Sequence, residues 1–166
     1  MTILGRAWVF GNNVDTDVIT SGKYLFSPME EASQHTFEAI LPDFPQKVRP
    51  GDIIVAGRNF GCGSARESAP QVLKYSGIAC ILAEGFSRIF FRNSIAVGLP
   101  ALIVEGVSRR VSPMDEISVS LDSGDVIILR TGEILKTIPL HPKMRAIIDA
   151  GGMDGLLSQL AGKIQP

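Results

Sequence analysis

Short apolar runs separated by polar or glycine-rich turns recur through the first two thirds of the chain. Three of them, at residues 52–57, 78–83 and 100–104, are apolar almost throughout, which is typical of strands buried on both faces. Helical patterns at residues 68–75 and 88–97 separate these runs. The order strand–helix–strand–helix–strand predicts a parallel sheet with right-handed crossovers.

Further elements are predicted on either side of this unit. Residues 6–10 form a predicted first strand, and Pro28 fits the first turn of a helix over residues 29–40. Three prolines make residues 41–50 a predicted surface connection. The last third predicts a hairpin, a further strand and two closing helices, at residues 116–121 with 126–129, 134–138, 142–150 and 153–160.

The loop at residues 59–68, after the first buried run, concentrates the candidate chemistry. Two glycines flank Cys62 and allow the backbone a close approach to another group. Ser64 and Glu67 match the S-x-x-E capping box, which predicts a helix that starts at Ser64 with Arg66 in its first turn. A cation is unfavourable there, so Arg66 is expected to have an anionic partner elsewhere. Together these groups predict a corner that binds a carboxylate.

Simpler interpretations of this loop stay open. Ser64 is then only a helix cap, and Arg66 only a solvated cation. A thiol nucleophile at Cys62 would need a base, and the two histidines, His35 and His141, have no spacing that argues for pairing. No lysine follows the glycines, so the loop is not a G-x-x-x-x-G-K-[ST] phosphate loop.

Asp15 and Asp17 lie two residues apart in a strand-like segment. On a strand they would share one face and repel each other unless a basic group lay between them. The alternative is a turn in which each carboxylate accepts hydrogen bonds from nearby backbone N–H groups.

Length and composition narrow the function classes. The 166 residues, 45% hydrophobic and 20% charged, predict one globular domain over residues 1–166. A net charge of -1 argues against binding to nucleic acid or anionic membranes, and the absence of a signal-peptide layout predicts a cytoplasmic protein. Cys62 and Cys80 are too few for a disulfide framework or for an iron–sulfur cluster alone, so no metal or cofactor is expected on this chain.

Four blocks in this order, at residues 13–17, 22–25, 59–67 and 86–93, resemble the small subunit of isopropylmalate isomerases in the aconitase superfamily. The resemblance implies the swivelling β/β/α domain, an α/β fold with a central mostly parallel sheet, flanking helices and an added C-terminal β-hairpin. It implies a hydro-lyase that interconverts 2- and 3-isopropylmalate in leucine biosynthesis. It also implies a partner, an iron–sulfur large subunit that holds a [4Fe–4S] cluster, in a heterodimer or heterotetramer acting on a 2-hydroxy dicarboxylate substrate.

The resemblance also implies roles for individual residues. Ser64 matches the serine that removes the proton α to a carboxylate, and Asp17 matches an active-site aspartate. Arg66 matches the arginine that clamps a substrate carboxylate, and the neighbouring Gly63 and Ala65 are expected to line the same site. The loop that contacts the variable part of the substrate corresponds to Tyr24, Leu25 and Phe26.

The chain departs from the family pattern at a few positions. Ala65 replaces a usual serine, Ser68 a usual His or Gln, and residues 84–85 a usual Lys-Ser pair. These departures leave open a related dehydratase acting on dimethylmalate, citramalate or homoaconitate. A binding module without activity, holding a carboxylate metabolite on the same fold, is a further alternative.

Overall fold

The computed structural model of the protein describes residues 1–162. Its strands are β1 Thr2–Val9, β2 Ile53–Ala56, β3 Cys80–Ala83, β4 Ala101–Ile103, β5 Glu116–Ser120, β6 Asp125–Ile128 and β7 Glu133–Lys136. Its α-helices are α1 Thr16–Ile19, α2 Met29–Ser33, α3 Phe44–Lys47, α4 Ser68–Tyr75, α5 Arg88–Ala96, α6 Pro142–Asp149 and α7 Met153–Gly162. Single 3₁₀ turns lie at Gly22–Tyr24 and Val107–Arg109.

The strands form one sheet in the order β4-β3-β2-β1-β5-β6-β7. β1 to β4 are parallel, whereas β5, β6 and β7 continue the sheet from β1 as an antiparallel meander. The sheet curls until its edges meet, because an antiparallel bridge joins Val104 to Thr137 and the N–H of Ile138 donates to the carbonyl oxygen of Ile103 at 2.9 Å.

Two apolar cores lie on opposite faces of the parallel strands. Ile53 and Val55 of β2 face the core enclosed by the curled sheet, and Ile54 and Ala56 face the core beneath the helices. The alternation follows from the two-residue period of a strand. Both faces are therefore buried, which explains why these strands have almost continuous apolar sequences.

The predicted α/β class, the parallel crossovers and the C-terminal hairpin are confirmed.

The predicted helix over residues 29–40 is wrong in its length, since α2 ends at Ser33. Phe37 adopts a left-handed backbone with φ of 57° and is fully buried, with its ring 5.0 Å from that of Phe44. The prediction of a surface connection at 41–50 is also wrong in part, because Phe44 is buried in the core and begins α3. Packing of these two aromatic rings in the core outweighs the local preference of residues 29–40 for a helix and of residues 41–50 for an exposed connection.

Within residues 1–162, no helix has the length and apolar character needed to cross a membrane.

Candidate active site

Three loops meet beyond the carboxyl ends of β1, β2 and β3. A parallel bridge joins Asp15, after β1, to Cys62, after β2. A second bridge joins Phe60 to Phe86, after β3. Ligands of parallel sheets, open or closed, bind beyond the carboxyl ends of the strands. The blocks at residues 13–17, 59–67 and 86–93 are therefore brought together where a ligand site is expected.

The turn at residues 61–63 depends on its two glycines. Gly61 and Gly63 have φ values of +73° and +87°, a region that side chains disfavour. A Cβ atom on Gly61 would overlap the ring of Phe90, and one on Gly63 would overlap the carboxylate of Asp15. The close backbone approach predicted for these glycines is confirmed.

Ser64 lies in an exposed loop and caps no helix. α4 begins at Ser68, and the residue at its N-cap position, Glu67, makes no capping hydrogen bond through its side chain. The predicted helix start at Ser64, and with it the capping box, is wrong. Pro70 gives the reason, since a helix starting at Ser64 would place this residue in the second turn, where it lacks the required N–H and its ring clashes.

Arg66 therefore precedes α4 instead of lying in its first turn. Its Nη1 forms an ion pair with Asp17 and donates to the carbonyl oxygen of Thr20 at 3.4 Å. The expectation of an anionic partner elsewhere in the chain is confirmed, although the helix dipole does not explain it. The guanidinium lies against Gly22, where an added Cβ would be 3.2 Å from Nη2.

The two aspartates have different partners. Asp15 accepts a hydrogen bond from the backbone N–H of Asp17 at 2.8 Å and so caps α1. Asp17 is half-exposed and faces Arg66. The strand-face interpretation is wrong, because Thr16–Ile19 is helical, and the turn interpretation holds for Asp15 alone.

The loop at residues 22–28 separates its three candidate residues. Tyr24 is buried and stacks on His35 with ring centroids 4.0 Å apart. Leu25 is partly exposed, and Phe26 is 96% exposed. The loop therefore presents Leu25 and Phe26 to the surroundings, whereas Tyr24 anchors it.

Sequence reasoning missed three residues that hold this site: Thr16, Thr20 and Gly22. Thr16 is buried and its Oγ1 donates to the carbonyl oxygen of Ser64 at 3.0 Å. Thr20 and Gly22 contact the guanidinium of Arg66. These contacts span more than 40 residues of sequence. The only local signal was the position of the three residues inside or beside the blocks at 13–17 and 22–25.

The cysteines do not support the thiol interpretation. Burial raises the pKa of the Cys62 thiol, and the nearby charge of Asp15 raises it further, so Cys62 stays protonated near neutral pH. Complete burial raises the pKa of the Cys80 thiol as well. Among residues 1–162, no group of three or more His, Cys, Asp or Glu side chains could hold a metal ion.

Comparison with known proteins identifies the family. The model of the aconitase C-terminal domain matches residues 13–105, more than half of the chain. The chain belongs to this family. The resemblance stated from the four sequence blocks is thereby confirmed, and the matched residues include all three loops of the candidate site.

Relatives within the aconitase C-terminal domain family are similar over nearly their whole length. The isopropylmalate/citramalate isomerase small subunit of Methanocaldococcus jannaschii is 52% identical over 91% of this chain and 90% of its own. The methanogen homoaconitase small subunit of Methanothermobacter thermautotrophicus is 46% identical over 91% of this chain and 88% of its own. A crystal structure of a 3-isopropylmalate dehydratase from M. jannaschii superposes with a TM-score of 0.92, at 40% identity over 97% of this chain and 96% of that one.

Proposed function

We propose that this chain is the small subunit of a hydro-lyase that interconverts 2-isopropylmalate and 3-isopropylmalate by dehydration and rehydration. The observation that carries the proposal is the fixed guanidinium of Arg66 beside the exposed loop of Ser64, at the carboxyl ends of parallel strands. The family membership and the names of the relatives support the same reaction class.

The chemistry suits these side chains. Removing a proton next to a carboxylate builds negative charge on that carboxylate, and a guanidinium can stabilise the charge through two hydrogen bonds. In the contacts within residues 1–162, Arg66 uses only Nη1, which leaves Nη2 and Nε as donors for a substrate carboxylate. The ion pair with Asp17 at Nη1 orients the guanidinium. Ser64, ionised to its alkoxide in the completed site, accepts the proton.

A second chain is required to complete the site. Gly63, Ser64 and Ala65 are all exposed, and water around a charged base weakens every electrostatic contact on which it depends. The large subunit of a two-subunit isomerase is the partner that the family implies. A [4Fe–4S] cluster held by that subunit would supply the Lewis acid. The described residues of this chain offer no ligand set for it.

The substrate class follows from Leu25 and Phe26. An apolar wall stabilises a buried alkyl group by about 25 cal/mol per Å². It disfavours a second carboxylate, which would lose its hydration without gaining a partner. The nearest cation in the sequence, Lys23, is turned to the hydroxyl of Tyr24 at 3.3 Å. We therefore favour isopropylmalate over homoaconitate, with citramalate, which carries a smaller alkyl group, as the second candidate.

Phe26→Arg in the assembled enzyme tests this assignment against a panel of isopropylmalate, citramalate and homoaconitate. The variant should lose turnover of isopropylmalate and gain some turnover of homoaconitate. Ile134→Arg is the control, since Ile134 is an exposed apolar residue on β7, outside the loop at residues 22–28. Unchanged selectivity in Phe26→Arg would show that this residue packs at the subunit interface instead of meeting the substrate. No activity of the assembled enzyme on any substituted malate would favour the carboxylate-binding module.

A further inference from the structure

The backbone of Ser64 is tied to the segment after β1 by a short ladder of hydrogen bonds. The N–H of Gly61 donates to the carbonyl oxygen of Val14, and the N–H of Thr16 donates to that of Cys62, both at 2.8 Å. The third bond comes from a side chain, because Thr16 Oγ1 donates to the carbonyl oxygen of Ser64 at 3.0 Å.

The side-chain bond occurs where the backbone ladder stops. In a continuing parallel ladder, donors from one strand recur at every second residue, so the N–H of Val18 would serve the carbonyl oxygen of Ser64. That N–H instead bonds to the carbonyl oxygen of Asp15 at 3.0 Å, because α1 has begun. The hydroxyl of Thr16 donates to the carbonyl oxygen of Ser64 in place of that N–H, and this bond extends the ladder as far as Ser64.

Within the described residues, the hydroxyl of Thr16 makes no other hydrogen bond. Asp15, not Thr16, caps α1. Thr16 is 1% exposed, so water does not compete for its hydroxyl. The carbonyl oxygen of Ser64 also accepts from the N–H of Arg66 at 2.8 Å, but that bond closes a turn within the loop itself. Thr16 Oγ1 is therefore the donor that holds the carbonyl group of Ser64 to the segment after β1.

We infer that Thr16 is a positioning residue that fixes Ser64 for proton removal through this hydrogen bond. The inference rests on the proposed role of Ser64 as the base. Without the bond, the exposed loop at residues 63–65 can rotate about its glycine, and the hydroxyl of Ser64 moves relative to a substrate that Arg66 still holds. A displacement of about 1 Å at a reacting group can lower the rate about 100-fold.

Thr16→Val tests the inference, because valine keeps the shape of threonine and lacks only the donor. In the enzyme assembled with its large subunit, kcat should fall about 10- to 100-fold while KM changes less than about threefold. Thr16→Ser keeps the donor and should restore most of kcat. Rates are expressed per folded, assembled enzyme, so that a loss of stability alone does not count.

Two results would overturn the inference: unchanged kcat in Thr16→Val, or a loss that Thr16→Ser shares in full. Ser64→Ala, measured in parallel, separates this failure from failure of the proposed function. If Ser64→Ala is inactive while Thr16→Val is fully active, the base assignment stands and only the positioning role is wrong. If Ser64→Ala retains full activity, the base assignment itself is wrong.

Discussion

The position of Arg66 depends on the absence of a side chain at Gly22. An added Cβ there would be 3.2 Å from Nη2 of Arg66, closer than ordinary contact, and 3.4 Å from Nη1. The φ of Gly22 is not in the left-handed region, so an alanine could adopt the same backbone. The contact with Arg66 is therefore what a substitution at this position would change.

Gly22→Ala should displace the guanidinium and weaken the hold on the substrate carboxylate. We expect KM to rise about threefold to tenfold, which corresponds to about 1 kcal/mol of lost binding, measured by steady-state kinetics of the assembled enzyme. Gly11→Ala is the matched control, because no atom lies within 4 Å of a Cβ added there. Equal behaviour of the two variants would show that Gly22 does not position Arg66.

The sequence indicates which loops carry the candidate site residues, but it does not indicate the contacts between those residues. Glycines, a serine and an arginine in one loop indicate a candidate carboxylate site. The anionic partner of Arg66 was expected from a helix dipole, but Arg66 lies before α4, so that reason does not apply. Asp17 is the anion that pairs with Arg66, and Thr16 is the residue that bonds to Ser64. The local sequence does not indicate these contacts, because each one joins the loop after β1 to the loop after β2. The S-x-x-E motif predicts a helix start at Ser64 that Pro70 does not permit, and α4 begins at Ser68.

At the scale of elements, a buried carboxylate joins β1 to β2. Asp52, next to β2 and 3% exposed, accepts hydrogen bonds from Arg6 Nη2 at 2.7 Å and Trp8 Nε1 at 2.8 Å, both on β1. It also accepts from the N–H of Arg49 at 2.9 Å. Burial by itself raises the pKa of the Asp52 carboxyl, but these hydrogen bonds outweigh it and leave the pKa below its ordinary value.

Asp52→Asn should lower the free energy of unfolding by about 2 to 4 kcal/mol at pH 6, because it breaks a buried charged contact. A folded-state pKa below the unfolded one stabilises the protein above an unfolded pKa of about 3.9, and this stabilisation is lost as the pH falls through the folded pKa. Urea unfolding at pH 6 and pH 3 should therefore show a smaller difference between wild type and variant at the lower pH.

Asp43→Asn is the control for this measurement, since Asp43 pairs with Lys47 on the surface and should contribute little at either pH. A difference between wild type and Asp52→Asn that stays constant or grows on acidification would contradict the role given to the Asp52 carboxylate.

Elements were predicted well where the sequence pattern matched burial on both faces, as in β2, β3 and β4. They were predicted poorly around α2 and α3. Phe37 was expected in a helix and Phe44 in a surface connection, but their rings pack against each other in the core. Such packing depends on rings brought together by the whole fold, and no local period encodes it.

At the scale of the whole molecule, β1 joins the two halves of the sheet. It pairs in parallel with β2 on one side and antiparallel with β5 on the other, and the bridge from Val104 to Thr137 closes the curl. We therefore expect the chain to unfold as one domain. Urea transitions followed by the fluorescence of Trp8, on β1, and by circular dichroism should coincide. Two separated transitions would contradict the assignment of residues 1–166 to one domain.

We propose that this chain supplies the base and the carboxylate clamp to a site completed by another chain. The most direct test adds the isolated chain in increasing amounts to its isolated large subunit and measures interconversion of 2- and 3-isopropylmalate. The rate should rise from near zero and saturate, whereas Ser64→Ala should compete for the large subunit without restoring turnover. Full activity of the large subunit alone would show that this chain is not needed for the reaction, and full activity of its complex with Ser64→Ala would show that Ser64 is not the base.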